Sequence, residues 1–116
     1  MAVVQAFNAS VAAAGTGTVD LDVRKIRELT VAWKLLATTT TTDLTLNDAV
    51  PYDANGTVLT VALPPLASTA AASDGTNVVA IKQFDVSGFE KVQLRGKNNN
   101  IAAKTLVIDA AFEGRS

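Results

Sequence analysis

The chain has 116 residues, a net charge of −1 from 10 basic and 11 acidic side chains, 48% apolar but only 5% aromatic content, and neither Cys nor His. One domain of this length buries roughly 65% of the surface its unfolded chain exposes, so a core of Ala, Val, Leu and Ile needs no disulfide or metal staple. The missing thiol and imidazole exclude disulfides, thiolate or imidazole metal ligands, Cys nucleophiles and the commonest general base. The even charge balance argues against a nucleic-acid partner.

The first basic residue is Arg24, which leaves no charged region for a signal peptide. No apolar run approaches the ~18 residues that span a bilayer, so no membrane partner is expected. Residues 1 to 14 read equally as a strand, an extended arm or a short Ala-rich helix near Ser10 to Ala14, closed by Gly15-Thr16-Gly17. We therefore divide the chain into an arm or edge strand over 1–17 and one β domain over 18–116.

Thr18 to Val23 alternates, with Val19, Leu21 and Val23 on one face and Asp20 and Asp22 on the other. That period of two predicts a half-buried strand. Leu29 to Ala37 is the next, with Trp33 sharing a face with Leu29 and Val31. The β-branched tract Thr38 to Thr42 favours extended backbone, and Asp43 to Asn47 follows as a strand. Asn55-Gly56 suits a tight hairpin turn. Thr57 to Leu63 is then a strand stopped by Pro64-Pro65. Residues 66 to 76 read as a loop ending in an Asp-Gly turn, followed by strands over Asn77 to Val86, Lys91 to Lys97 and Thr105 to Phe112. Seven or eight strands with regular turn signals predict an all-β, antiparallel, jelly-roll-like β-sandwich.

A weak repeat runs through this pattern. LDVRKIRELTV (residues 21–31) aligns with FDVSGFEKVQL (residues 84–94), matching Asp22 to Asp85, Val23 to Val86, Ile26 to Phe89, Leu29 to Val92 and Val31 to Leu94. Leu44-Thr45-Leu46 then aligns with Leu106-Val107-Ile108. The repeat is either the shared look of two sandwich crossovers or a pseudo-twofold. In both readings Ile26 and Phe89 plug the core where the chain changes sheets.

No catalytic constellation emerges. Ser and Thr lack a histidine partner, and neither Ser-x-x-Lys with its companion motifs nor Gly-x-Ser-x-Gly occurs. Asp20, Asp22, Asp43, Asp48, Asp53 and Asp85 are candidates for a carboxylate pair or a calcium site, but most fall at turns or on solvent faces. Asn98-Asn99-Asn100 reads as a polar loop in which Asn tolerates left-handed backbone. No cofactor, no metal and no enzymatic activity are expected. The uncharged stretch carrying Val3, Val4, Phe7 and Val11 must be covered by the domain's own core or by a partner strand, and those four residues are the candidate interface.

Residues 84 to 112, FDVSGFEKVQLRGKNNNIAAKTLVIDAAF, resemble the C-terminal half of small auxiliary proteins of tailed-bacteriophage particles. These run strand, Asp-Val-Ser-Gly turn, Lys-Val-x-Leu strand, Asn-rich loop and closing strand. ATTTTTDLTL and the Asn-Gly hairpin have the same style. The resemblance implies a non-enzymatic capsid decoration or cement subunit, a homotrimer clamping capsomers of the major capsid protein. Such a subunit sits on the virion surface and is made in the host bacterial cytoplasm. The alternatives are a neck, tail or fibre component, or a carbohydrate- or receptor-binding sandwich.

Overall fold

The computed structural model describes residues 2–52, 66–67 and 71–114. Nine antiparallel strands occupy these residues: β1 (Ala2–Val11), β2 (Thr16–Asp22), β3 (Ile26–Leu35), β4 (Leu44–Tyr52), β5 (Leu66–Ala67), β6 (Ala72–Ser73), β7 (Val78–Asp85), β8 (Lys91–Asn98) and β9 (Lys104–Gly114). They form a five-stranded sheet ordered β1-β9-β3-β7-β6 and a four-stranded sheet ordered β2-β8-β4-β5. The expected all-β sandwich is present, with two minimal strands, β5 and β6, inside the segment expected to be a loop. The turn at Asp74-Gly75 lies where expected, with Gly75 at φ +95° and the Asp74 carboxylate accepting from the Thr76 and Asn77 amides. The Asn55-Gly56 hairpin and the strand over Thr57 to Leu63 lie outside the described residues.

The alternation read from the sequence sets which side chains meet between the sheets. Leu29, Val31, Trp33 and Leu35 from β3 face Val92 and Leu94 from β8, with Leu106, Ile108 and Ala110 from β9 beside them. Each such large aliphatic side chain, fully buried, contributes about 1.5–3 kcal/mol. Trp33 is a core residue, as expected, standing edge-on to Phe84 with ring centroids 6.1 Å apart. Residues 2–11, read as arm or strand, form β1, paired along its length with β9 and bulged between Gln5 and Phe7.

The repeat is a structural pseudo-twofold. β2 pairs with β8 as β7 pairs with β3: Leu21 opposes Val92, and its counterpart Phe84 opposes Leu29. The crossovers match atom for atom. Ile26 N–H donates to the Val23 carbonyl at 3.0 Å, and Phe89 N–H to the Val86 carbonyl at 3.1 Å. Asp22 accepts from the Arg24 amide as Asp85 accepts from the Ser87 amide. Ile26 and Phe89 are half-buried plugs packed on the core. β4 and β9 continue the match, since Leu44 opposes Asn98 and Leu106 opposes Leu35. Where the symmetry would place two large residues in one space, one copy is small. Trp33 corresponds to Gly96, and a Cβ on Gly96 would stand 3.3 Å from Trp33 Cδ1 and 2.9 Å from Leu106 Cδ2.

Two expectations are corrected. The Thr tract is not extended throughout: Thr41–Asp43 forms a 3₁₀ turn. The Asn run does turn into a polar loop after Asn98, but not through left-handed backbone: among the described residues the non-glycine ones with positive φ are Ala14 and Ala37. Both segments are instead drawn into one buried polar knot. Asn98 Nδ2 donates to the carbonyls of Val11 and Ala102, each at 3.0 Å. Asp43 Oδ2 accepts from Thr38 Oγ1 at 2.6 Å and Asn100 Nδ2 at 2.8 Å. Satisfying these buried groups outweighs the local backbone preferences of Thr and Asn.

Candidate docking surface

The sandwich has two outer faces. On the four-stranded sheet the charges are tied to one another. Arg95 holds Asp48 with two bonds of 2.7 and 2.6 Å, Lys91 stands 3.6 Å from Asp20, and its ammonium lies 4.4 Å from the centre of the Tyr52 ring. Asp22 pairs with Arg24, whose hydrogen bonds hold its carboxyl down at about 2. Asp43 is likewise held below its ordinary value, by Asn100 first and then Thr38. Arg24, Arg95, Asn100 and Thr38 thus occupy three of the candidate acids, Asp85 caps its own turn, and Asp53 lies outside the described residues. Among the described residues no group of three potential ligands could hold a metal ion. None of their helices is long and apolar enough to cross a membrane.

The outer face of the five-stranded sheet mixes small apolar side chains with polar ones, and Asp109 lies in its central row. Cross-strand register lays it out in rows across β1, β9, β3 and β7. The first is Val3, Ala111, Thr30 and Gln83; the second Gln5, Asp109, Ala32 and Ile81; the third Asn8, Val107, Lys34 and Val79. Ile81 is 52% exposed and Val3 70% exposed. Beyond the first row, Glu113, Glu28 and Asp85 stand side by side at one end, with Arg27 bound to the first two. Lys34 lies toward the other end.

The candidate interface residues divide between surface and core. Val3 lies on this outer face, and Val4 is 46% exposed beside the core. Phe7 is half-buried against the core, and Val11 is buried in it. β1 is the sheet's outer edge: among the described residues it pairs with β9 alone, and it carries neither charge nor proline. Natural edges are usually blunted by such residues. Sequence reasoning missed Ile81, Val79, Val107 and Ala111. Their signal was available in the unbroken apolar runs Val78 to Ile81 and Leu106 to Ile108, since a strand with one wet face should alternate.

No family model matches the chain, and no curated protein matches it. Among solved structures it is similar to that of the SPBc2 prophage-derived protein YomS, with 18% identity over 92% of this chain and 94% of that one, at a TM-score of 0.45. A likeness this loose carries neither family nor role to this chain.

Proposed function

We propose that the protein is a non-enzymatic structural subunit of a tailed-phage particle, acting as a decoration or cement protein that seats its five-stranded sheet against other subunits. The observation that carries this reading is the edge strand β1, without charge or proline, beside the exposed Val3 and Ile81 of the same sheet. Exposed Val3 and Ile81 lose little on meeting a protein surface, and an unblunted edge can pair with a further strand. The phage assignment itself rests on the resemblance of residues 84 to 112. A glycan-binding role is disfavoured because Trp33 is buried and Lys91 covers the Tyr52 ring.

Co-sedimentation of the purified protein with emptied heads and with isolated tails of the particle tests this. Saturable binding to heads, lost in Ala111→Lys, is the expected result. Binding to tails alone moves the subunit to the neck or tail. No binding to either overturns the particle reading.

A further inference from the structure

We propose that β1 pairs antiparallel with β1 of a second copy, about a twofold axis normal to the sheet, so that two five-stranded sheets become one of ten strands. The inference rests on the same contact edge as the particle reading and names the strand that joins it. Among the described residues the other sheet edges are poor templates: β5 and β6 are 2 residues long, and β2 carries Asp20 and Asp22. Short strands and edge charges deter pairing between molecules. β1 has 10 residues and no charge. At ~3.4 Å per residue it offers a template roughly 34 Å long.

A bulge often terminates pairing. The one between Gln5 and Phe7 instead makes β1 complementary to itself. It leaves two equal arms, Ala2–Gln5 and Asn8–Val11, and changes which residues share a face. Before it, Val3 and Gln5 look outward with Ala111 and Asp109; after it, Asn8 and Ser10 look outward with Val107 and Thr105. Asn8 Nδ2 accordingly reaches Gln5 Oε1 on the same face, donating at 3.1 Å. Val4 looks inward before the bulge, and Phe7 and Ala9 after it.

A twofold passing between Ala6 and Phe7 sets Ala2 against Val11 of the second copy, Val3 against Ser10, Val4 against Ala9 and Gln5 against Asn8. Every pair lies on a common face. In a regular strand these partners would point to opposite faces, because side chains alternate. The twofold repeats the ladder, so each copy gives both arms, as an isologous contact requires. The side chains fit this register. Val3 meets Ser10, Val4 meets Ala9, and the amides of Gln5 and Asn8 meet across the seam. Val4 gains most, for it faces inward yet is 46% exposed, since the four-stranded sheet ends at β2. Residues 2–11 hold no charge, so no charged side chain enters the seam, and Asp109 stays on the outer face beside Gln5.

Light scattering from micromolar to millimolar concentration reads the association, with circular dichroism confirming that each variant folds. The wild type is expected to dimerise as concentration rises. The chain has no cysteine, so introduced thiols report the register. Gln5 and Asn8 are both exposed. Under oxidation, a mixture of Gln5→Cys and Asn8→Cys is expected to form disulfide-linked dimers that neither variant forms alone. Gln5→Lys/Asn8→Lys opposes two lysines in each ladder and is expected to weaken the dimer about tenfold in Kd, whereas Gln5→Lys/Asn8→Glu keeps it. A wild-type monomer at every concentration, or a trimer, overturns the proposal. So does a dimer indifferent to the paired lysines, or one whose mixed thiols link no better than either variant alone. A monomer that still sediments with heads overturns self-pairing alone. A dimer that binds no particle keeps this inference and overturns the particle reading.

Discussion

Val23 and Val86 occupy the same position in the two halves of the sandwich. The Val23 N–H donates to the Glu90 carbonyl at 3.1 Å, and the Val86 N–H donates to the Arg27 carbonyl at 2.9 Å. Each crossover is thereby tied to the strand entrance of the other. Both side chains are fully buried.

Equal environments should give equal losses. Val23→Ala and Val86→Ala each remove two methyl groups from a packed core, and each is expected to cost about 2 kcal/mol. Urea unfolding should show matching shifts in midpoint with an unchanged slope. A loss at one site more than twice that at the other would show that the two halves are not energetically equivalent.

The candidate interface should split in two. Val3→Lys places a charge on an exposed edge and is expected to change stability by less than about 0.5 kcal/mol. Val11→Lys buries an unpaired ammonium beside β2 and is expected to cost more than about 4 kcal/mol. Thermal melts monitored by circular dichroism separate these outcomes. Deleting 3–11 is unsuitable as a test of the edge, because it also strips Phe7 and Val11 from the core.

Gly96 is required by its neighbours rather than by its backbone. A Cβ there meets Leu106 and Trp33, both buried, so Gly96→Ala is expected to cost about 1–3 kcal/mol through overpacking. Leu106→Val on that background should recover part of the loss. If Leu106→Val adds its own cost in full, the strain lies elsewhere.

The polar knot predicts an acid-sensitive end of the molecule. The hydrogen bonds from Asn100 and Thr38 hold the Asp43 carboxyl below its ordinary value in the folded protein, so its ionised form is favoured by folding. The associated stability is fully present above the unfolded value and is lost as pH falls through the folded one. The melting temperature of the wild type should therefore drop below about pH 4, near the unfolded carboxylate value. Asp43→Asn should start lower at neutral pH and fall less steeply on acidification. A parallel fall in both proteins would assign the acid sensitivity to other carboxylates.

Much of the strand layout was legible because alternation is a local property. Val19 and Leu21 against Asp20 and Asp22, or Leu29, Val31 and Trp33 on one face, are set by a period of two and need no partner to be seen. The repeat was legible for the same reason. Thr38 to Thr42 and Asn98 to Asn100 misled because their local preferences are weak beside the cost of leaving Asp43 and Asn98 unsatisfied in a buried corner. That corner exists only when residues 57 apart, Asp43 and Asn100, are brought together.

By itself, the sequence determined the fold class, the core faces of β2 and β3, Trp33 as an interior residue and the absence of thiol and imidazole chemistry. It could not determine which second faces stay uncovered. Val3, Ala111, Thr30 and Gln83 form a row only after β1, β9, β3 and β7 have paired, and the pairing order is set by contacts far apart in the chain. Tertiary structure alone decided that Arg95 meets Asp48 on one outer face while the other presents Ile81 and Val3 around Asp109, between an acidic end and Lys34. The physical reason is that side-chain alternation is fixed residue by residue, whereas exposure depends on which neighbours the assembled sheets provide.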